Sequence, residues 1–288
     1  MGLILRMNLS QAQQEMLSRL HTLYEDREAA TITDWVMEKI TGWKKLDRII
    51  HKNMPLAAEG LQLFRQYTRE LLDHRPVQYV LQEAWFAGLK FYVDESVLIP
   101  RPETEELVEW VTEEAKGGGY SILDVGTGSG CIAITLSKRL LATHIYACDV
   151  SQGALAVADQ NADTLDAAIG LIRTDFLDRS QWAALPHVHW LVSNPPYIPL
   201  KERNAMAAHV VGAEPALALF VPDDDALIFY RALGEFAGQQ MGPGAILFAE
   251  VHEGLGGEVR DLLLALGAAE VILRKDLQGK DRMIKAVW

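Results

Sequence analysis

The chain has 288 residues, of which 49% are hydrophobic and 23% are charged, and its formal net charge is −12 at pH 7. This composition is typical of a globular protein, and no apolar stretch approaches the roughly 20 residues of a membrane span. The acid excess lies in residues 81–288 without any basic cluster, which disfavours a nucleic-acid partner. Cys131 and Cys148 fall in segments predicted to be buried, and no secretory signal is evident, so we expect reduced thiols in a cytoplasmic protein.

The first 75 residues repeat apolar side chains at helical spacing and contain no strand-like stretch, which predicts a small helical bundle over residues 1–75. Ser10 is the expected N-cap of its first helix. A later helix is expected to begin at Thr33 or Asp34 and to end at Gly42.

Residues 76–100 mix aromatic and β-branched residues around Gly88, which predicts a short β-hairpin linker. Pro102 then suits the first turn of a helix. Strands and helices alternate from there, so residues 101–288 are predicted to form an α/β domain with a mostly parallel, doubly wound sheet of about seven strands.

The stretch LDVGTGSGC places Gly126, Gly128 and Gly130 between a strand and a helix. The third glycine comes too early for the dinucleotide fingerprint, and no Lys-Ser/Thr pair follows that could hold nucleotide phosphates. A tight glycine loop preceded by Asp124 instead suits a ligand with an ammonium group, such as S-adenosylmethionine.

Acidic residues at two further strand ends extend this candidate site. Asp149 ends the next strand, where a carboxylate can accept both hydroxyls of a ribose; the alternative is that it caps the following helix. Asp175 and Phe176 follow the third strand and are candidates for the amine and the face of an adenine. Both could equally be ordinary strand-end residues.

The quartet Asn194-Pro195-Pro196-Tyr197 follows a buried strand, which its prolines must end. The side-chain carbonyl of Asn194 and the backbone carbonyl of Pro195 can accept the two N–H groups of a planar amide or amine. That would direct the nitrogen lone pair toward a methyl donor, while Tyr197 offers a flat face. A rigid turn is the alternative, but beside the glycine loop the quartet favours N-methylation of a planar group.

Together, DVGTGSG, ACDVS and SNPPYI resemble class I S-adenosylmethionine-dependent methyltransferases, a Rossmann-like fold. VLIPRPETEELVEW and EPALALFVPDDDALIFYRAL are further similar to the release-factor glutamine N5-methyltransferase family. The resemblance implies S-adenosylmethionine as cofactor and S-adenosylhomocysteine as product. It implies cofactor contacts from Gly126, Thr127, Gly128, Ser129, Gly130, Asp149, Asp175, Phe176 and Asn194, and substrate contacts from Asn194, Pro195, Pro196 and Tyr197, with Asn194, Pro195 and Tyr197 as the catalytic set.

The resemblance also implies a substrate: the glutamine of the Gly-Gly-Gln motif in bacterial peptide chain release factors, docked by the helical domain. The chain departs from the family pattern at Val221-Pro222 and the three aspartates that follow, where we expect an altered surface loop. Alternatives are a ribosomal-protein glutamine methyltransferase, an adenine-N6 or guanine-N2 nucleic-acid methyltransferase, and a non-catalytic interaction module.

The remaining polar residues point to no second site. The eight histidines lack metal-ligand spacing, and no metal is expected. Arg101 is equally consistent with a structural ion pair and with substrate docking. Glu250 is expected to satisfy nearby backbone groups rather than to face the site.

Overall fold

The computed structural model describes residues 7–115, 118–205 and 212–288. They fall into two compact units, the first containing residues 7–82 and 212–213 and the second residues 83–205 and 214–288. No helix within the described ranges is long and apolar enough to cross a membrane.

The first unit is helical. Its helices are α1 (Leu9–Leu20), α2 (Asp26–Thr41), α3 (Lys45–Ile50), α4 (Ala58–Leu72) and α5 (Val77–Leu81). Helices α1, α2, α4 and α5 share one hydrophobic core, in which Met16 of α1, Met37 of α2 and Phe64 of α4 are almost completely buried. Along α1, for example, the buried residues Leu9, Ala12, Met16 and Leu20 recur at helical spacing, so the helix turns one apolar stripe toward that core.

The first helix begins earlier than the sequence predicts. Asn8, not Ser10, is its N-cap: Asn8 Oδ1 accepts the backbone N–H of Gln11 at 2.8 Å, and Gln11 Oε1 accepts the backbone N–H of Asn8 at 3.0 Å. This reciprocal capping box satisfies two N–H groups at once, which is why it prevails over the serine two residues later.

The second helix also begins earlier, at Asp26 rather than near Thr33 or Asp34. Thr33 is instead completely buried within α2. Acidic residues in the first turn favour the earlier start through the helix dipole. Gly42 ends the helix as predicted, in the left-handed conformation with φ of 67°.

A hairpin and a helix open the second unit. Strands β1 (Ala84–Phe86) and β2 (Leu89–Phe91) pair antiparallel across Gly88, which has φ of 80°. Helix α6 (Pro102–Glu114) then begins at Pro102, as predicted.

A seven-stranded sheet forms the centre of the second unit. Its strands are β3 (Ser121–Val125), β4 (His144–Asp149), β5 (Ile169–Arg173), β6 (Trp190–Ser193), β9 (Ile246–Glu250), β10 (Glu270–Lys275) and β11 (Asp281–Val287), in the spatial order β10-β11-β9-β6-β3-β4-β5. Pairing is parallel from β5 to β9, whereas β11 runs antiparallel to both neighbours. The predicted mostly parallel sheet is confirmed.

Helices cover both faces of this sheet. They are α6, α7 (Cys131–Arg139), α8 (Gln152–Thr164), α10 (Ile228–Phe236) and α11 (Gly256–Ala265). The second unit also contains the short helix α9 (Ala216–Leu219), 3-10 turns at Arg179–Ala184 and Leu200–Ala205, and a π-helical turn at Ala237–Met241. Along β3, Leu123 joins the core on one face and Ile122 the core on the other. Such a strand is apolar on both sides because neither face meets water.

The strand order reverses at β3. The chain proceeds outward from β3 to β4 and β5, then returns to place β6 on the opposite side of β3. In an open α/β sheet, ligands bind beyond the carboxyl ends of the strands at such a switch point. The glycine loop after β3 and the quartet after β6 both lie there.

Candidate active site

The glycine loop connects β3 to α7 with little steric bulk. Gly128 has φ of 54°, and a Cβ built on it would meet nothing within 4 Å. Gly130 differs, because a Cβ there would lie 2.9 Å from Ile134 Cδ1 and 3.2 Å from Ala158 Cβ. Gly128 therefore leaves space for a ligand, whereas Gly130 permits α7 to pack against α8.

Two carboxylates hold this loop in place. Asp124 Oδ2 accepts the Thr127 hydroxyl at 2.7 Å and the Ala133 N–H at 3.3 Å. Asp149 Oδ2 accepts the N–H of Gly128 at 3.0 Å, and its Oδ1 accepts the N–H of Ser151 at 2.9 Å. The loop is thus fixed from two adjacent strand ends by the protein's own side chains.

Both carboxyl groups are perturbed by burial. Desolvation raises the pKa of Asp124 to about 7, against the hydrogen bonds from Thr127 and Ala133. Asp124 Oδ1 is buried and has no hydrogen-bond partner among the described residues. Desolvation also raises the pKa of Asp149, opposed by backbone N–H groups.

A cavity of about 280 Å³ opens beside the loop. Of the predicted cofactor and substrate residues, those that line it are Gly126, Gly128, Asp149, Asp175, Phe176, Asn194, Pro195 and Pro196. Thr127, Ser129, Gly130 and Tyr197 are not among the described lining residues. The structure therefore brings together side chains from three strand ends and the quartet.

Several lining residues were not predicted. They come from the end of the hairpin linker, from the segment around α9 and from the start of α10: Ser96, Val97, Leu98, Pro215, Leu217 and Phe229. The lining is mainly apolar in these places, which suits the body of an organic ligand. The family-like stretches VLIPRPETE and EPALALF were the available signal, although no single residue in them was chemically distinctive.

The adenine candidates differ in exposure. Asp175 is exposed, and its Oδ1 accepts the N–H of Leu177 at 3.0 Å. Phe176 is only 5% exposed, and its ring centroid lies 5.8 Å from that of Trp182 and 5.3 Å from that of Phe236. Phe176 therefore belongs to the core while also lining the cavity, and the adenine roles remain predictions.

The quartet is held by hydrogen bonds that the sequence did not indicate. Asn194 Nδ2 donates to Thr104 Oγ1 at 3.0 Å, and Thr104 Oγ1 donates to Glu250 Oε2 at 2.7 Å. The Tyr197 hydroxyl donates to Glu250 Oε1 at 2.8 Å. The Glu250 carboxylate thus binds two side-chain hydroxyls, not the backbone groups that we expected.

The Tyr197 ring packs inside the unit. It contacts His252 edge-on at a centroid distance of 6.1 Å and adjoins the buried core. Burial and the neighbouring Glu250 raise the pKa of Tyr197, so its hydroxyl stays protonated. The stacking role predicted for Tyr197 remains a prediction.

Arg101 makes an ion pair. Its guanidinium lies 2.6 Å from Glu214 Oε1, and the Glu214 side chain is only 1% exposed. Glu214 also accepts the backbone N–H of Ile99 at 3.4 Å. Of the two interpretations of Arg101, the structural ion pair is the one observed.

The departure from the family pattern lies at a second, short sheet. β7 (Ile198–Pro199) pairs in parallel with β8 (Phe220–Val221). Asp223 Oδ1 then accepts the backbone N–H of Lys201 at 2.8 Å. The exposed Asp223 therefore anchors the segment that follows the quartet.

The two cysteines of the second unit are buried, and desolvation disfavours their ionised form. Cys131 and Cys148 are buried free thiols, and desolvation raises the pKa of Cys131 to about 12. Across the described residues, no group of three or more His, Cys, Asp or Glu side chains could hold a metal ion.

Comparisons with known proteins identify the class. Residues 103–219 match the family described as Methyltransferase small domain. The solved structure of the delta-N METTL16 MTase domain superposes with a TM-score of 0.50 at 17% identity, covering 70% of this chain and 88% of that one. The second unit therefore has a methyltransferase fold.

The family follows from closer relatives. Residues 11–81 match the PrmC N-terminal domain. The release factor glutamine methyltransferase of Flavobacterium psychrophilum is 37% identical to this chain, and the match covers 94% of this chain and 96% of the relative. The protein of the same name from Bacteroides thetaiotaomicron is 36% identical, and the match covers 93% of this chain and 95% of the relative. The one from Chlorobaculum tepidum is 40% identical, and the match covers 84% of this chain and 85% of the relative. The chain belongs to the release factor glutamine methyltransferase family.

Proposed function

We propose that this enzyme transfers a methyl group from S-adenosylmethionine to the side-chain amide nitrogen, N5, of the glutamine in the Gly-Gly-Gln motif of peptide chain release factors. The observation that carries the proposal is the cavity, where Gly128 and Asp149 meet Asn194 and Pro195. Relatives named for this activity extend over nearly the whole chain.

The residues present fit the cofactor. S-adenosylmethionine, when bound, supplies an electrophilic methyl group on a sulfonium. Gly126 and Gly128 would admit its methionine end, and Asp149 would accept from its ribose. The unpartnered buried Oδ1 of Asp124, next to the glycine loop, supports a cationic ligand there, because an uncompensated buried carboxylate is costly.

The quartet would hold the acceptor. A glutamine amide has two N–H groups, and a carbonyl oxygen facing each of them fixes the plane of the amide. Asn194 offers its side-chain carbonyl and Pro195 its backbone carbonyl, and both residues line the cavity. These acceptors would also stabilise positive charge that develops on the nitrogen in the transition state.

The first unit would serve substrate recognition. Its residues match a domain specific to the family, and it has its own core, so it can present a surface without altering the cavity of the second unit. Docking of a folded release factor is accordingly assigned to residues 1–75, with residues 76–100 as linker. A translation factor as substrate implies that the enzyme acts in the cytoplasm.

A labelled-methyl assay tests the proposal. Purified enzyme is incubated with methyl-labelled S-adenosylmethionine and, separately, a folded release factor, a release factor whose motif glutamine is alanine, ribosomal proteins, and nucleic acid. Label is expected only in the intact release factor. Label in ribosomal protein would favour that alternative, and label in RNA or DNA alone would overturn the proposal.

A further inference from the structure

The side-chain amide of Asn194 can adopt two orientations that differ in which group faces the substrate. Its amide carries a carbonyl oxygen and an NH₂ group of nearly equal size, so packing alone cannot decide which of them faces the substrate. Only the oxygen can accept an N–H of the substrate amide. With the NH₂ in that place, two donors would face each other and the acceptor would be lost.

Thr104 removes this ambiguity through its single hydrogen. The Thr104 hydroxyl, which is 2% exposed, donates that hydrogen to Glu250 Oε2 at 2.7 Å. An ionised carboxylate can only accept, so the donor in this pair must be the hydroxyl. The Thr104 oxygen can then only accept from Asn194, which requires the NH₂ group at 3.0 Å.

Glu250 is itself fixed from three sides. It ends β9, next to the strand that leads into Asn194, and its side chain is almost completely buried. The Tyr197 hydroxyl donates to its second oxygen at 2.8 Å, and the Tyr230 hydroxyl donates to its backbone carbonyl at 3.0 Å. Both carboxylate oxygens are therefore occupied by donors, and the carboxylate cannot rotate away from Thr104.

The geometry points to Thr104 and Glu250 as positioning residues for methyl transfer, which select the amide orientation of Asn194 that presents its carbonyl oxygen, not its NH₂ group, to the substrate glutamine. This inference rests on the proposed function. Neither residue is among those that line the cavity in the described structure, so both act through Asn194.

The protonation state of Glu250 decides whether the Thr104 hydroxyl donates its hydrogen to Glu250 or to Asn194. Burial raises the pKa of Glu250, while the hydroxyls of Thr104 and Tyr197 and the positive charge of Arg282 oppose that rise; Glu103 adds to it, and the buried Tyr230 stays neutral. A protonated Glu250 can donate to Thr104. The Thr104 hydrogen then points to Asn194 and favours the reversed amide.

The first test compares Thr104→Val with Thr104→Ser. The valine keeps the shape of the side chain but removes the hydroxyl, so the kcat for release factor methylation should fall by about 10- to 30-fold, as expected for loss of an orienting hydrogen bond. The KM for the release factor and the calorimetric affinity for S-adenosylhomocysteine should change by less than about twofold. The serine variant should recover most of the kcat.

Thr135→Val is the matched control, because Thr135 is 1% exposed and its hydroxyl has no partner among the described residues. It should retain the wild-type kcat. Equal kcat for wild type and Thr104→Val, or no recovery in Thr104→Ser, would overturn the inference. A wild-type enzyme that fails to label the release factor would instead refute the proposed function.

The second test stands even if Thr104→Val does not fold. In Glu250→Gln, the amide oxygen can accept from Thr104 and the NH₂ can donate to Tyr197, but the side chain no longer titrates. Wild-type kcat at saturating S-adenosylmethionine should fall as pH decreases from about 8 to about 5.5, with a midpoint above the ordinary glutamate pKa. The fall should be clearly smaller in the variant, in which only other groups such as Asp124 still titrate. The same decline in both enzymes would overturn the inference.

Discussion

In the proposed function, Asn194 is the residue on which methyl transfer depends most directly. Its position just after the end of β6 places it on the cavity and outside the strand itself. A substitution of Asn194 should impair methyl transfer but leave cofactor binding nearly unchanged. An inert interaction module with the same fold would show no such separation.

Asn194→Ala should lower kcat by about 100- to 1,000-fold, because one of two acceptors for the transition-state charge is lost. The dissociation constant for S-adenosylhomocysteine, measured by calorimetry, should change by less than about fivefold. Unchanged turnover would contradict the role of Asn194, and absence of turnover in wild type as well would support a non-catalytic module.

Asp124 makes a second prediction at this scale, on stability. Its pKa in the folded protein, about 7, exceeds its ordinary value of 3.8, so the folded state binds the proton more tightly than the unfolded chain. Its contribution to stability is therefore greatest below the unfolded pKa and declines as pH rises toward about 7. Asp124→Asn, which does not titrate, should gain stability relative to wild type over that window.

Urea unfolding of both cofactor-free proteins at several pH values between about 5 and about 8 measures the difference. Asp261→Asn, at an exposed aspartate whose side chain is 68% accessible, is the control and should show no such gain. A stability difference between Asp124→Asn and wild type that does not vary with pH would contradict the prediction.

At the level of elements, the loop between β3 and α7 needs glycine for two reasons: to leave space for a ligand and to let α7 pack against α8. Gly128 faces open space, whereas Gly130 lies against side chains of α7 and α8. Both have positive φ values, 54° and 79°, so alanine is strained at either position. The two positions should nevertheless respond differently to the same substitution.

Gly130→Ala should reduce the free energy of unfolding by about 2 to 4 kcal/mol, because overpacking adds to the backbone strain. Gly128→Ala should reduce it by only about 1 kcal/mol, but should weaken S-adenosylhomocysteine binding more than Gly130→Ala does. Chemical denaturation and calorimetry on the same two variants provide the comparison. Equal stability losses, or a larger binding defect in Gly130→Ala, would contradict the assignment.

At the scale of the whole molecule, the two units have separate hydrophobic cores. Phe64 lies in the core of the first unit and is 2% exposed, while every described residue that lines the cavity belongs to the second unit. Damage to the first core should therefore impair recognition of the release factor without altering the cofactor site.

Phe64→Ala should destabilise the first unit by about 3 to 5 kcal/mol. The KM for the release factor should rise, and the affinity for S-adenosylhomocysteine should remain within about twofold of wild type. In scanning calorimetry, the unfolding transition of the first unit should move to lower temperature, whereas that of the second unit should not move. A loss of affinity for S-adenosylhomocysteine in Phe64→Ala would contradict the independence of the two cores.

Much of the second unit could be predicted from local pattern. The central strands β3 and β6 are recognisable because each is short, apolar on both faces and bounded by turn residues, as in SILDV and WLVS. The cofactor candidates Gly128, Asp149 and Asn194 stand at strand ends, and parallel strands bring those ends together. The helix starts at Leu9 and Asp26 were missed, because a capping box and first-turn charges outweighed the residues chosen as caps.

The amino-acid sequence by itself determined the sheet, the glycine loop and the quartet, since each is a short segment whose backbone preference is local. Only the tertiary structure decided the partners of the quartet. Thr104 lies 90 residues from Asn194 and 146 from Glu250, and they meet because β6 pairs with β9. Hydrogen bonds between such distant positions depend on strand order and helix docking, which no local pattern specifies.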